Sequence, residues 1–416
     1  MTEFSFDALR RWPDLEADNL FAADAADRLI LDAAAAALEA SAPGEVVVIG
    51  DHFGALTLGA GALHGARRVR VHQDALSGER ALAANASALG IGGHESLPLD
   101  AALLEGARVV LLRLPRSLDA LDEIAGLIAK HAADGVTIYA GGMIKHLALA
   151  MNEVLGRQFT EVRPGLARQK ARVLTVTHPT GRVGRDEGAA VSRPEPLSVG
   201  ASIRSSLATR PTTTWPRREF HEEFGLWLCA HGGVFAGTRV DIGTRFLLGV
   251  LGEAKPDAAS AIDLGCGSGL LAAALAKARP RISVLATDQS AAAVASARAT
   301  MVANGLDDRV RVVRDDGLAS QPDASADLVL LNPPFHIGAT VHSGIAPRLF
   351  EEAARVLAPA GELWTVFNSH LGYRSALERI VGPTRQIARN AKFTVTASAR
   401  DELRSVRVVA SRSAGE

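Results

Sequence analysis

The stretch that decides the fold is AIDLGCGSGLLAAALAKA, residues 261–278. Its first four residues predict a buried strand, glycines follow at positions 265, 267 and 269, and a leucine- and alanine-rich helix begins at Leu270. This order sets backbone amides at a helix N-terminus, where glycines let a ligand approach the chain closely. The stretch therefore predicts an α/β fold with a ligand at the carboxyl end of this strand.

The spacing of the glycines differs from that of the common phosphate-binding loops. It is neither G-x-x-x-x-G-K-[ST] nor G-x-G-x-x-G, and it offers no lysine to reach phosphates. We expect Asp263 inside the turn, where a carboxylate repels a pyrophosphate and suits a cationic ligand. Asp288 closes an apolar strand at 282–287 and is placed to bind two ribose hydroxyls. Asp316 ends a strand at 310–313, where it can meet an adenine amino group.

A second stretch, LVLLNPPFH at residues 328–336, predicts the reacting site. Its four aliphatic residues indicate a buried parallel strand, which the two prolines end. An aromatic amino group is a poor nucleophile because its lone pair is delocalised into the ring. The Asn332 amide oxygen and the Pro333 carbonyl can accept its two N–H bonds and aim the lone pair at an electrophile. Phe335 offers a face on which a flipped-out base can stack.

The order of these features resembles that of class I S-adenosylmethionine-dependent methyltransferases that act on amino groups. The C-terminal half is similar to the ribosomal RNA guanine-N2 methyltransferases, with the small-subunit (16S) family favoured and the large-subunit (23S) relative next. The resemblance covers residues 232 to about 408 and includes the lead-in at 233–235 and 241–243.

This resemblance implies a cofactor, a substrate and a set of site residues. It implies S-adenosylmethionine as the cofactor and a guanine of ribosomal RNA, or of a ribosomal subunit (30S favoured), as the methyl acceptor. The implied catalytic residues are Asn332, Pro333, Pro334 and Phe335. The implied cofactor-binding residues are Asp263, Gly265, Gly267, Gly269, Asp288 and Asp316.

The N-terminal half repeats the same pattern without its chemistry. The stretch EVVVIGDHFG at residues 45–54 reads as a strand and a glycine turn, at an offset of 215 residues from the first stretch. At that offset His52 replaces Gly267 and Gln73 replaces Asp288, and Leu114 stands near the position of Asn332. We therefore predict a degenerate, non-catalytic copy in which His52 and Phe53 fill the cofactor space.

Composition limits the number of domains and the kinds of ligand and compartment that are expected. A chain of 416 residues with a net charge of −1 predicts two domains and no global nucleic-acid signal. Cys229 and Cys266 are far apart, which fits a reducing cytoplasm and argues against a metal site. We find no apolar run long enough for a membrane span. We expect a cytoplasmic monomer.

The segment between the halves is locally basic. Residues 156–218 contain twelve Lys and Arg against four Asp and Glu, a net charge of +8. Two interpretations stay open, a solvated linker with scattered charges or a strip that contacts RNA phosphates.

The complete prediction is an α/β protein of two tandem Rossmann-like class I methyltransferase domains. Its parts are a degenerate domain at 1–180, a basic linker at 181–215 and a catalytic domain at 216–416. One alternative keeps the enzyme and changes the acceptor to DNA adenine or a release-factor glutamine, because both are methylated by enzymes with an Asn-Pro-Pro-Phe/Tyr motif. The other is an RNA-binding ribosome assembly factor without essential catalysis.

Overall fold

Two seven-stranded sheets with the same topology form the described part of the chain, which is residues 4–14, 16–17, 19–180, 214–334 and 345–400 of a computed structural model. The strand order is β3-β2-β1-β4-β5-β7-β6 in the first sheet and β12-β11-β10-β13-β14-β16-β15 in the second. In each sheet five strands are parallel, and the last two join them as an antiparallel hairpin. This repetition confirms the predicted tandem fold.

The first sheet and its helices span residues 25–179. Its strands are β1 (Val46–Ile49), β2 (Val69–His72), β3 (His94–Ser96), β4 (Val109–Arg113), β5 (Thr137–Met143), β6 (Phe159–Pro164) and β7 (Ala171–Pro179). Its helices are α1 (Ala25–Glu39), α2 (Ala55–His64), α3 (Leu76–Leu89), α4 (Ala101–Leu104), α5 (Leu118–His131) and α6 (Leu149–Leu155). Strands β1 and β4 are almost wholly buried because helices cover both faces of the sheet.

The second half begins with a small hairpin and then repeats the layout. The hairpin is β8 (Arg217–His221) and β9 (Leu226–Ala230). The strands of the second sheet are β10 (Ser260–Leu264), β11 (Ser283–Asp288), β12 (Val310–Arg314), β13 (Ala326–Leu331), β14 (Leu357–Asn368), β15 (Thr384–Arg389) and β16 (Phe393–Ala399). The helices are α7 (Ile242–Leu248), α8 (Leu270–Ala278), α9 (Ala291–Ala303), α10 (Ile345–Val356) and α11 (Arg374–Ile380). Where the chain is described, it has no helix with the length and apolarity that a membrane crossing requires.

Several local predictions differ from the structure. The sequence after Gly142 predicts a helix over 143–155, but Met143 is the last residue of β5, where it pairs with Ala171 of β7, and the α-helix begins only at Leu149. The sequence also predicts helix throughout residues 1–43, and this is wrong, because among the described residues of that segment only a short 3₁₀ turn precedes α1. Hairpin strands β6, β8 and β15 were not predicted, since their burial is irregular and gives no clear two-residue period.

The two domains contact each other through equivalent segments. Ala75, just after β2, forms an antiparallel bridge with Ser290, just after β11, and these residues are related by the same offset of 215. Leu76 N donates to Gln289 O (3.0 Å), and Ala291 N donates to Asp74 O (2.8 Å). Equivalent segments of the two copies therefore contact each other, as in an isologous dimer interface.

Charged side chains extend this domain interface on both sides. Arg314, at the end of β12, donates to Glu79 Oε1 (2.7 Å) and to the Gln73 carbonyl (2.9 Å) of the first domain. On the other side, the two oxygens of Glu123 accept from Gly232 N (2.7 Å) and pair with His231 Nδ1 (2.6 Å). A Cβ on Gly232 would lie 2.2 Å from Asp119 O, so the close approach of α5 requires glycine there.

Candidate active site

The candidate site lies where the strand order of the second sheet reverses. β10 has β11 on one side and β13 on the other, and Leu264 of β10 pairs directly with Leu331 of β13. The next residues are Gly265 and Asn332, so the glycine loop and the Asn-Pro-Pro turn start side by side. Ligands of open α/β sheets bind at such a switch point, beyond the carboxyl ends of the strands.

The glycine loop is shaped for close backbone approach. Gly265, Gly267 and Gly269 all have positive φ, at 72°, 53° and 82°. A Cβ on Gly267 would meet no described atom within 4 Å, so the outer side of the loop is open to a ligand. A Cβ on Gly269 would lie 2.8 Å from Met301 Cε, because this glycine packs against α9. The loop therefore combines an open face toward a ligand with a tight inner face.

Asp288 links this loop to the end of β11. Its Oδ2 accepts from Gly267 N (3.0 Å) and its Oδ1 from Ser290 N (2.9 Å). Burial raises the pKa of its carboxyl, while these backbone amides oppose the rise. Each carboxylate oxygen has a further lone pair, so the group can accept hydrogen bonds from a vicinal diol while it holds the loop.

Asp263 is a residue of the strand, and its expected place inside the turn is wrong. It lies in β10, 2 % exposed, and its Oδ2 accepts from Ala272 N (3.0 Å) in the first turn of α8. Burial, with a smaller contribution from the nearby Asp288, raises the pKa of this carboxyl to about 7. The geometry gives Asp263 a bond to the helix that follows the glycine loop.

This raised pKa predicts a pH-dependent stability. The folded protein holds a proton on Asp263 (pKa about 7) that an unfolded chain, with a carboxyl pKa of 3.8, releases at lower pH. Stability from this group is therefore fully present below the unfolded pKa, falls by about 1.4 kcal/mol per pH unit between the two pKa values, and is lost once the pH has risen through the folded value. Asp263→Asn keeps an acceptor for Ala272 and should remove this slope.

The measurement is urea unfolding of both proteins between about pH 5 and about pH 8. Other buried acids contribute equally to both curves, so the difference between the curves isolates Asp263. We expect the wild-type protein to lose stability relative to the variant as the pH rises. Parallel curves would show that Asp263 titrates normally in the folded protein.

The Asn332 side chain is held by residues of the lead-in to the domain. Its Nδ2 donates to Asp241 Oδ2 (3.0 Å) and to Thr244 Oγ1 (2.9 Å). Its Oδ1 is buried, and no group in the described part of the chain donates a hydrogen bond to it. A buried acceptor without a donor is costly, so this atom is suited to an N–H from a ligand.

The other predicted site residues differ in how far the structure describes them. Pro333 is buried and Pro334 is exposed directly after Asn332. Phe335, together with residues 336–344, lies outside the described residues, and so do residues 181–213 of the predicted linker. Asp316 is buried two residues beyond β12, and its carboxylate forms ion pairs with Arg80 of the first domain (3.0 Å) and with Arg348 (2.7 Å).

Three contacts of the predicted site residues were missed at the level of single residues. The 241–243 stretch was noted for its resemblance, but the bonds from Asp241 and Thr244 to Asn332 span 91 and 88 residues. The ion pair of Arg80 with Asp316 spans 236 residues. The N-cap pattern at Asp241 was the available signal, since its carboxylate also accepts from Thr244 N (3.0 Å).

The equivalent groups of the first domain are bonded to one another. Asp51 accepts from Gly54 N (3.0 Å) and Thr57 N (2.8 Å), and the Gln73 amide donates to the Asp51 carbonyl. Gln73 thus donates where Asp288 accepts, which leaves no acid for a ribose at that point. His52 is exposed and Phe53 is half-buried beneath the Arg11 guanidinium, and that this pair fills the cofactor space stays a prediction.

Fold, loop and switch point together define a class I S-adenosylmethionine-dependent methyltransferase. A family profile described as "RLMG N-terminal domain" matches residues 1–180, and one described as "Methyltransferase small domain" matches residues 225–397. The chain belongs to the ribosomal RNA large subunit methyltransferase G family.

Two relatives carry this family assignment. The Streptomyces avermitilis protein of that name is 36 % identical over 396 residues, covering 93 % of this chain and 95 % of the relative. The Pseudomonas aeruginosa protein is 34 % identical over 397 residues, covering 95 % and 97 %. A solved 16S rRNA N2 methyltransferase from T. thermophilus, in complex with AdoMet and guanosine, shares the fold. Its TM-score is 0.63 at 22 % identity, over 93 % of this chain and 97 % of that one.

Proposed function

We propose that this protein transfers a methyl group from S-adenosylmethionine to the exocyclic N2 of a guanine in large-subunit ribosomal RNA. The observation that carries the proposal is the buried Asn332 Oδ1, which lacks a donor among the described residues and adjoins the glycine loop. An N–H of an amino group satisfies this oxygen, and the Pro333 carbonyl can accept the second N–H. A keto or ring-nitrogen acceptor would leave the oxygen unsatisfied.

Different residues of the second domain are proposed to bind different parts of S-adenosylmethionine. Gly265, Gly267 and Gly269 let S-adenosylmethionine approach the loop, and Asp288 accepts from its ribose hydroxyls. Asp263 supports the loop through α8. Asp316 is proposed to meet the adenine while Arg80 and Arg348 pair with its carboxylate. When bound, S-adenosylmethionine supplies an activated methyl group on a sulfonium.

Catalysis depends mainly on positioning the amino group of the substrate. Asn332 and Pro333 hold the amino nitrogen in line with the methyl group, and Phe335 is proposed to stack the flipped base. The proton of the methylated nitrogen can leave to water, because a substituted anilinium-like nitrogen is a strong acid. No side-chain base is required.

The choice of the large subunit rests on the family. The two relatives above are named as enzymes of large-subunit ribosomal RNA, at 36 % and 34 % identity over nearly the whole chain. The small-subunit enzyme shares the fold at 22 % identity. The relatives therefore favour the large-subunit alternative over the 16S acceptor preferred on sequence. The guanosine bound in the small-subunit enzyme supports guanine as the base and N2 as the acceptor atom.

Methyl transfer to a panel of acceptors tests this proposal. The purified protein is supplied with tritiated S-adenosylmethionine and with 50S particles, 30S particles, naked 23S RNA and naked 16S RNA from cells that lack it. DNA and a release factor complete the panel. We expect label in 50S particles or 23S RNA, recovered as N2-methylguanosine after digestion. Label confined to 16S RNA, DNA or the release factor would overturn the assignment.

A further inference from the structure

We infer that Asp241 and Thr244 are positioning residues that fix the amide of Asn332 with its oxygen toward the substrate. The inference rests on the proposed function, because it concerns the acceptor on which that function depends. An asparagine amide can rotate by about 180° and exchange its oxygen and nitrogen positions. Only one of these orientations presents an acceptor to an amino group, so the enzyme requires a device that selects it.

The contacts of Asn332 Nδ2 provide this selection. Its two hydrogens are matched by two acceptors, Asp241 Oδ2 at 3.0 Å and Thr244 Oγ1 at 2.9 Å. A rotated amide would lose both bonds and bring Oδ1 against the Asp241 carboxylate. That arrangement sets two acceptors face to face, one of them charged, and also turns N–H donors toward the substrate amino group.

The two acceptors are themselves fixed by the start of α7. Asp241 is the N-cap of this helix, and its Oδ2 accepts from Thr244 N at 3.0 Å, so one oxygen serves both the helix and Asn332. Gly243 makes the approach possible: a Cβ there would lie 3.0 Å from Asp241 Oδ2 and 3.5 Å from Asn332 Oδ1. Asp241 and Thr244, which together form a clamp on the Asn332 amide, are therefore held in place by the first turn of α7.

The clamp also explains why this position needs an asparagine. An aspartate at position 332 would place a second carboxylate beside Asp241, with no donor between the two groups. The identity of residue 241 thus determines which residue can act at 332. Because Asp241 and Thr244 accept both N–H bonds of the Asn332 amide, only its oxygen is left to bond a substrate, and it selects substrates that present an N–H, as the amino group of guanine does.

The first test removes each acceptor separately. Thr244→Val keeps the shape of the side chain and should lower kcat about 10-fold, and Asp241→Ala should lower it about 100-fold. We expect Thr244→Ser and Asp241→Asn, which retain an acceptor oxygen, to keep kcat within about three-fold of wild type. For every variant the Kd of S-adenosylmethionine and the KM of the RNA should change by less than about three-fold.

A matched control separates positioning from loss of a helix cap. Asp100 is the N-cap of α4 in the first domain and accepts from Ala102 N and Leu103 N, far in sequence from Asn332. Asp100→Ala should lower thermal stability as Asp241→Ala does and leave kcat unchanged. Equal losses of kcat in the two variants would show that Asp241 acts only through stability, and would overturn the inference.

An exchange of the two side chains gives the strictest test. Asn332→Asp alone should lower kcat at least about 100-fold, because two carboxylates then face each other. In the double variant with Asp241→Asn, the new amide at position 241 can donate to the new carboxylate at position 332. This should recover at least about 10-fold of the lost kcat. An unrescued double variant, or Thr244→Val at wild-type kcat, would refute the clamp. Failure of the proposed function is distinct, since the wild-type protein would then not methylate ribosomal RNA at all.

Discussion

Asn332→Ala abolishes methyl transfer to ribosomal RNA and leaves S-adenosylmethionine binding within a few-fold of wild type. The side chain contacts Asp241 and Thr244 through its nitrogen and offers only its oxygen to the active site. Alanine removes the acceptor that orients the amino group, and the reaction then depends on a randomly oriented, weak nucleophile. Lost positioning of this kind costs at least about 100-fold in rate.

Three measurements make this prediction decisive. The first is kcat with large-subunit RNA, the second is calorimetric titration with S-adenosylmethionine, and the third is RNA binding. Asn332→Gln serves as the companion variant, because it keeps an amide but moves the acceptor by one methylene and should be nearly as inactive. If Asn332→Ala retains more than about a tenth of the wild-type kcat, the acceptor role of Oδ1 is wrong.

Asp288→Ala produces the second large effect, a loss of S-adenosylmethionine affinity of at least about 100-fold. A carboxylate that accepts from two hydroxyls contributes about 1.5–3 kcal/mol for each charged hydrogen bond. Alanine also releases Gly267 N and Ser290 N, so the glycine loop loses its link to β11. Both effects weaken binding of the cofactor, and the RNA affinity should remain unchanged.

The internal duplication supplies the matched control for this variant. Gln73 occupies the equivalent position of the first domain, and its amide donates to the Asp51 carbonyl. Gln73→Ala is therefore the same kind of truncation at the same point of the fold, and it should leave the Kd of S-adenosylmethionine unchanged. Isothermal titration of both variants distinguishes a direct role of Asp288 from general loosening of the fold. Equal affinities in Asp288→Ala and wild type would remove Asp288 from the site.

The first domain contacts residues of the predicted site. Arg80 of α3 forms an ion pair with Asp316, the acid predicted to meet the adenine, and Arg314 binds carbonyls of the first domain. These bonds join the carboxyl end of β12 to the first copy. The first domain therefore helps to fix one wall of the predicted cofactor site while its own loop is closed by Asp51 and Gln73.

The parts of the fold that follow a simple period could be predicted from sequence. Strands β10 and β13 are buried on both faces, and α8 was predicted with its observed bounds because Gly269 and an unbroken Leu/Ala run define it. The edge hairpin strand β15 was not predicted, because its side chains are mostly solvent-facing and carry no apolar pattern. The duplication was detectable because glycines and strand ends recur at a constant offset.

In the candidate site, too, some features could be predicted from sequence and others could not. Asn332 and Asp288 stand at strand ends, which is a local property that sequence reveals. The orientation of the Asn332 amide depends on Asp241 and Thr244, about 90 residues away, and nothing in either stretch alone indicates that they touch. The misplacement of Asp263 has a similar cause, because only the fold reveals that its carboxylate turns inward to Ala272 N.

The modification of ribosomal RNA in the source organism tests the proposed methyl transfer most directly. Ribosomal subunits are separated from wild-type cells, from cells lacking the gene, and from the latter carrying either the wild-type gene or Asn332→Ala. Each RNA is digested, and N2-methylguanosine is quantified by mass spectrometry. We predict that one N2-methylguanosine is lost from large-subunit RNA and that only the wild-type gene restores it. Unchanged N2-methylguanosine in large-subunit RNA, or full restoration by Asn332→Ala, would contradict the account.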